Sequence, residues 1–348
     1  MKKYFIMAVA VLASLTACQK DPEQIIVNDG TIKFMSVQTR ALSETEVVTE
    51  KTLKDKNFTV YGHIKGEDDA LWEGGIVPTY QTTGDYTGQW VTTERKYWAE
   101  AKVYNFYAFY NQGSNVISDF EETVVTFDGG PEATTDFVAA SSCNILGNVF
   151  NAPVQLTFKH QLSRVAINFV NMFDDATTIK VENIKIKDVV TGAIFTYEDN
   201  TTASNVNAKN PQPAYVAITG MDSYKKEVSF DFLDDEVING KNGAEQYNSK
   251  KTTYKYFVPV PTEGEKETEY LMSCKVTFTT SANTGSDKLT TYKEYENLKL
   301  SCKYEAGQSY VFTANVYDMI HPITFTVSVE QWKEDKDAGD ITVDQDKK

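Results

Sequence analysis

The run KVYNFYAFY, from Lys102 to Tyr110, is the tightest constraint on what this chain can become. In a strand, successive side chains point to opposite faces. Val103, Asn105, Tyr107 and Phe109 then share one face, and Tyr104, Phe106, Ala108 and Tyr110 the other. Both faces are largely apolar, so the run predicts a central strand covered on both sides. Further runs follow between turn signals: PVQLTF, RVAINFVN, EVSFDFL, YKYFVPV, YLMSCKVTFTT, LKLSCKY, QSYVFTANVY and ITFTVSV. In IKVENIKIKDVVTGAIF the alternation passes through Ile179 and Val181, then Ile184 and Ile186, and stops at Thr191-Gly192, which reads as a turn. Twenty Tyr and nineteen Phe, with abundant Thr and Val, suit a pleated, half-buried surface. No long apolar stripe occurs at helical spacing. The expected class is all-β, built from β-sandwiches.

The N-terminus has a different character. Lys2 and Lys3 precede an uncharged apolar stretch, Tyr4 to Ala17. That stretch is too short to cross the roughly 30 Å of bilayer hydrocarbon, so residues 1–17 read as a signal peptide. The sequence Leu15-Thr16-Ala17-Cys18 resembles a bacterial lipobox, which implies acylation of Cys18. Gln19-Lys20-Asp21-Pro22-Glu23 then resembles the short acidic export signals of surface lipoproteins in Bacteroidetes. Several acyl chains would hold such a protein firmly to a membrane.

The formal net charge is −15, and loss of Lys2 and Lys3 with the leader makes it more negative still. Nucleic acid is a poor partner for such a chain, because its affinity comes from basic side chains that neutralise phosphates. Beyond Cys18 only Cys143, Cys274 and Cys302 occur, without CxxC spacing, and His63, His160 and His321 are far apart. A zinc site is not expected. Cys274 shares its parity with Met272, Val276 and Phe278, and Cys302 with Leu298 and Leu300. Both therefore point inward, as a disulfide or as buried free thiols. The acidic loop DDEVINGKNG fails as a calcium loop: counted from Asp235, Val237 stands third and Gln246 twelfth. No nucleophile–base signature and no G-x-S-x-G appear. Neither an enzyme nor a cofactor is expected, and His160 reads as structural.

Seven segments carry a resemblance when taken in order. They are NFYAFYN, DFVAAS, VQLTFKHQLSRVAINFVN, IKVENIKIKDVVTGAIF, YKYFVPVP, EAGQSYVFTANV and ITFTVSVEQW, preceded by the lipobox and a Thr-Arg-Ala site. Together they resemble the fimbrillins of Bacteroidales, the FimA/Mfa-type pilins of type V fimbriae. Phe158, His160, Leu162, Val165 and Ile167 match that family's pattern most closely. Membership implies two transthyretin-like β-sandwich domains in tandem. It also implies a lipoprotein exported to the outer membrane, trimmed by a trypsin-like or gingipain-like protease, and joined to other pilin subunits by strand exchange. The fimbrium so formed supports adhesion at the cell surface.

The residues allow each step to be placed. Arginine occurs only at positions 40, 95 and 164, and Arg95 and Arg164 lie close to expected strands. Arg40 lies in SVQTRALSE, after the candidate strand GTIKFMSV, in which Ile32 and Phe34 share a face. A cut between Arg40 and Ala41 would remove residues 18–40, the tether and that strand together. A boundary near Asn151-Ala152-Pro153 divides the remainder into sandwiches at 41–152 and 153–348. A sandwich lacking a strand exposes unpaired backbone groups and an apolar groove, which a strand from another subunit can fill. The donor candidate is Ile323 to Trp332, with Ile323, Phe325, Val327 and Val329 on one face and Thr324, Thr326, Ser328 and Glu330 on the other. His321-Pro322 before it is expected to break pairing with the preceding strand, since proline has no N–H.

The alternative reading is a monomeric glycan-binding lipoprotein of the outer-membrane surface. In that reading Trp72, Trp90 and Trp98, with Tyr80 and Tyr86, would present exposed rings to sugars. Packing in the core is the competing expectation for these residues.

Overall fold

The computed structural model describes residues 29–36, 58–111, 117–121, 123–147, 152–198, 215–234, 236–261, 266–281 and 288–331. The first half contains β1 (Lys33–Ser36), β2 (Phe58–Ile64), β3 (Thr79–Tyr80), β4 (Trp90–Val91) and β5 (Val103–Asn111). It continues with β6 (Ile117–Glu121), β7 (Val124–Asp128), β8 (Phe137–Leu146), β9 (Val154–Leu156) and β10 (Lys159–His160). The second half opens with β11 (Ser163–Asn171), β12 (Thr178–Val190), β13 (Gly192–Glu198), β14 (Tyr215–Thr219), β15 (Lys225–Phe230) and β16 (Val237–Ile238). It ends with β17 (Ser249–Lys251), β18 (Lys255–Phe257), β19 (Thr268–Ser281), β20 (Lys288–Cys302), β21 (Gln308–Val316) and β22 (Thr324–Gln331). The only helical segment among the described residues is a 3-10 turn, Met221–Tyr224. The chain is all-β.

Among the described residues the strands form five sheets around three apolar cores. The first core lies between the sheets β3-β4-β1-β9 and β10-β8-β5-β2. It is filled by Phe34, Phe58, Trp72, Trp90 and Phe106 among others. β5 is interior to its sheet and buried on both faces, as the run KVYNFYAFY requires. Tyr104, Phe106, Ala108 and Tyr110 enter the first core, and Tyr107 and Phe109 enter a second. In the second core Phe137 packs its ring 5.9 Å from Phe109 and 4.9 Å from Phe195. The third core fills the C-terminal sandwich, between β17-β11-β21-β22 and β15-β12-β19-β20.

The second core depends on a sheet the sequence did not announce. Its order is β14-β13-β7-β6, so strands from both halves of the chain share one ladder. β13 pairs antiparallel with β7 from Gly192↔Asp128 to Thr196↔Val124. Thr191-Gly192 is therefore not a reversing turn. The chain leaves the β12 sheet there and continues into a different one. Glycine is required at this corner because a Cβ on Gly192 would sit 2.6 Å from the Phe127 carbonyl oxygen.

The expected division at 152/153 also needs correction. β9 pairs with β1, β10 pairs with β8, and Val154, Leu156 and Phe158 belong to the first core. The strands of the C-terminal sandwich begin with β11, at Ser163. Ala152 and Pro153 lead directly into β9, which belongs to the N-terminal sandwich. Apolar alternation resumes after them because β9 fills the position beside β1.

Candidate assembly site

β1 is an interior strand. It pairs antiparallel with β4 (Lys33↔Val91, Phe34↔Trp90) and parallel with β9 (Phe34↔Val154 to Ser36↔Leu156). Ile32 and Phe34 are fully buried, as their shared parity predicts, and the Phe34 ring lies 5.5 Å from Phe106 and 6.1 Å from Trp72. The residues before the strand are bonded as well: Ile32 N–H donates to the Lys96 carbonyl at 2.8 Å, and Trp98 N–H to that of Gly30 at 3.0 Å.

Lys33 faces away from Phe34 yet is also fully buried. Its ammonium pairs with the Asp29 carboxylate at 3.2 Å and lies 5.1 Å from the centre of the Tyr86 ring. Asp29 also accepts bonds from Thr31 N–H at 3.1 Å, from the Thr31 hydroxyl at 2.6 Å and from the Tyr86 hydroxyl. Burial alone would raise the Asp29 carboxyl, but the bonds from Thr31, Tyr86 and Lys33 outweigh it and hold it well below the usual range. The bond to Asp29, with burial, raises the Tyr86 phenol. This knot, which sequence reading missed, ties β1 to the loop between β3 and β4. Its one sequence signal is the charge on Lys33 between two apolar neighbours.

β22 contrasts with β1. Among the described residues it is an edge strand with one partner, β21, paired from Gln308↔Gln331 to Asn315↔Thr324. The expected break at His321-Pro322 does not occur. Pro322 lies in the connecting loop, where the ladder needs no N–H. Asp318 closes that loop by accepting the N–H groups of Ile320 and His321, each at 2.7 Å. Ile323 is buried and Phe325 partly so, whereas Val327 and Val329 are 42% and 52% exposed. The outer half of the apolar face of β22 is thus uncovered in its own sandwich.

The other sequence expectations have definite positions. Cys18, Arg40, Ala41, Asp235 and the signal peptide lie outside the described residues. Arg164 is buried, donates from Nε to the Ser309 hydroxyl at 2.9 Å and stacks over Tyr254 at 4.3 Å. The Arg95 side chain is exposed, but the backbone beside it is pinned: the Glu94 carbonyl accepts from Trp72 Nε1 at 3.0 Å and the Lys96 carbonyl from Ile32. Cys274 and Cys302 are buried free thiols, so no disulfide joins them. Burial pushes their thiols up to about 12 and about 11.

Trp72, Trp90 and Trp98 are all buried in the first core, and Tyr80 packs edge-on to Trp90. They form no exposed ring platform, which removes the residues on which the glycan-binding alternative rested. His160 Nδ1 lies 2.6 Å from the buried Asp136 carboxylate beside β8. His63 stacks on Tyr107 at 5.8 Å, and His321 bonds Asp318 in the last loop. No helix among the described residues is long and apolar enough to cross a membrane.

A family model described as fimbrillin-like matches residues 39–332, most of the chain. Among solved structures, a fimbrial protein from Bacteroides vulgatus aligns with a TM-score of 0.56 at 17% identity, over 87% of this chain and 99% of that one. That likeness is one of fold. The tip fimbrial protein Mfa3 from Porphyromonas gingivalis, truncated at its C-terminus, aligns over 80% of this chain and 94% of that one, at 9% identity and a TM-score of 0.34. No curated protein sequence matches the chain.

Proposed function

Since the chain belongs to the fimbrillin-like family, we propose that it is a structural subunit of a surface fimbrium. In this reading it is exported as a lipoprotein through Cys18 and anchored in the outer membrane. A trypsin-like protease cuts it between Arg40 and Ala41, and it polymerises with other pilin subunits by strand exchange. The observation that carries the reading is the position of β1. It is an interior strand upstream of Arg40, so a single cut would free the chain that leads into it. Withdrawing Ile32 and Phe34 would empty a slot between β4 and β9 with backbone groups unpaired on both sides.

An empty slot cannot persist. Burial of each such side chain is worth about 1.5–3 kcal/mol, and unpaired buried backbone groups add their own penalty. A strand supplied by another subunit restores both. β22 suits the part of donor: among the described residues it lies at the edge of its sheet and pairs with β21 alone, and with Val327 and Val329 exposed it is the less costly of the two strands to move. Alternating apolar and polar side chains from Ile323 to Glu330 fit a slot with one apolar wall.

The test is electron microscopy of surface filaments in cells that express the wild-type chain or an Arg40→Ala variant. Filaments are expected from the first and not from the second. Normal filaments from Arg40→Ala would overturn the processing step. A membrane-bound mature form with an unmodified Cys18 thiol, seen by mass spectrometry, would overturn the lipid anchor.

A further inference from the structure

Gln89 is completely buried, and neither its amide nitrogen nor its carbonyl oxygen has a hydrogen-bond partner. Native proteins rarely leave both ends of a buried amide unpaired. The place of Gln89 suggests what is missing. It immediately precedes β4, which pairs with β1 through Lys33↔Val91 and Phe34↔Trp90. Continued by one residue, that register sets Met35 opposite Gln89. Alternation assigns both to the face opposite Phe34 and Trp90. Methionine offers only a weak acceptor and no donor. β1 therefore leaves Gln89 unsatisfied.

The sequence supplies a better occupant. Ile323-Thr324-Phe325 repeats the Ile-x-Phe step of Ile32-Lys33-Phe34. With the two laid together, Thr326 stands where Met35 stood. A threonine hydroxyl both donates and accepts, so one side chain could satisfy both ends of the amide. Building on the strand-exchange reading above, we propose that β22 of a second copy of this chain enters the β1 slot in this register. Gln89 fixes the register by bonding the Thr326 hydroxyl. Thr324 takes the place of Lys33. That exchange is chemically consistent: Asp29, the counter-ion of Lys33, departs in the same 18–40 segment, and a buried ammonium without it would be costly. A shift by two residues would instead put Val327 where the Phe34 ring meets Trp72 and Phe106, leaving that space underfilled.

The experiment uses the full chain nicked between Arg40 and Ala41 and a fluorescent peptide of residues 321–331, with capture followed by anisotropy. Wild-type peptide should be captured, and a Thr326→Val peptide should bind about tenfold more weakly, the size of effect expected for one buried hydrogen bond. Peptides with Thr324→Val or Ser328→Val should lose much less. On a Gln89→Leu protein the preference for threonine at 326 should vanish. The peptide scan on wild-type protein decides the question even if Gln89→Leu does not fold. Equal binding of the wild-type and Thr326→Val peptides, or a preference that survives in Gln89→Leu, would overturn the register. Failure of the nicked protein to capture any of the peptides would overturn the strand-exchange reading itself.

Discussion

Asp29 and Lys33 show how one buried charge governs a segment. A buried lysine is tolerated only with a partner, and here the partner also accepts from Thr31 and Tyr86. The pH behaviour follows from the direction of the Asp29 shift. Its folded value lies below the ordinary 3.8, so its contribution is fully present above that pH and is lost as pH falls through the folded value. Hydrogen exchange at the amides of residues 30–34 should therefore show no Asp29-linked loss of protection between pH 7 and 5. An Asp29→Asn variant should exchange faster across that range, because the ion pair between Lys33 and the Asp29 carboxylate is gone. Unchanged protection in the variant would show that the ion pair does not hold the strand. The thiols give a second check at this scale. Buried and pushed up to about 12 and about 11, Cys274 and Cys302 should resist iodoacetamide at pH 8 in the native protein and react fully in guanidinium. Their inward parity was legible in the sequence. The Asp29–Tyr86 contact was not, because nothing local links residues on two different loops.

At the scale of single elements, the phase of the apolar pattern carried more than its presence. In β12 the buried set runs Ile179, Val181, then Ile184, Ile186, then Val189, so the parity changes twice. Each change falls at a residue in the left-handed region, Asn183 at φ 54° and Asp188 at φ 58°, and each coincides with a shift in pairing register. A bulge inserts one residue and flips the face that follows, and Asn and Asp tolerate the positive φ it needs. Asn183→Val should therefore destabilise the protein by about 1–2 kcal/mol, while Asn183→Gly should change it much less; urea denaturation measures both. If the two variants behave alike, φ is not the constraint. The break at Thr191-Gly192 was legible as a break but not as a change of sheet, because pairing with β7 lies more than sixty residues back in the chain. The pairing of β22 with β21 was masked by its proline, whose effect depends on whether it falls in a ladder or a loop.

For the whole molecule the deciding feature is the sheet shared by β7 and β13. Two sandwiches joined by a polar linker would behave as separate domains, and the sequence pointed to that arrangement. Instead Phe127 and Phe137 from the first half pack with Phe195 and Tyr197 from the second. Ala133, in the loop between β7 and β8, packs into the core of the C-terminal sandwich, and its carbonyl accepts from Tyr256 N–H at 2.7 Å. A composition-based boundary cannot reveal such a joint, since the strands involved look like any others. The joint predicts one cooperative unfolding event. Trp72, Trp90 and Trp98 lie in the N-terminal core, so tryptophan fluorescence reports chiefly on that half. Cys274 lies in the C-terminal core, so its alkylation rate reports on the other. Against guanidinium the two probes should share one midpoint. Phe195→Ala, which empties the core between them, should cost about 3–5 kcal/mol and move both midpoints together. Two separate wild-type midpoints, or a Phe195→Ala shift confined to one probe, would mean that the halves unfold independently. A subunit pulled from both ends in a filament would then yield at that joint first. Coincident midpoints would mean that force on either end must break the shared core and both sandwiches together, the property a fimbrial subunit needs.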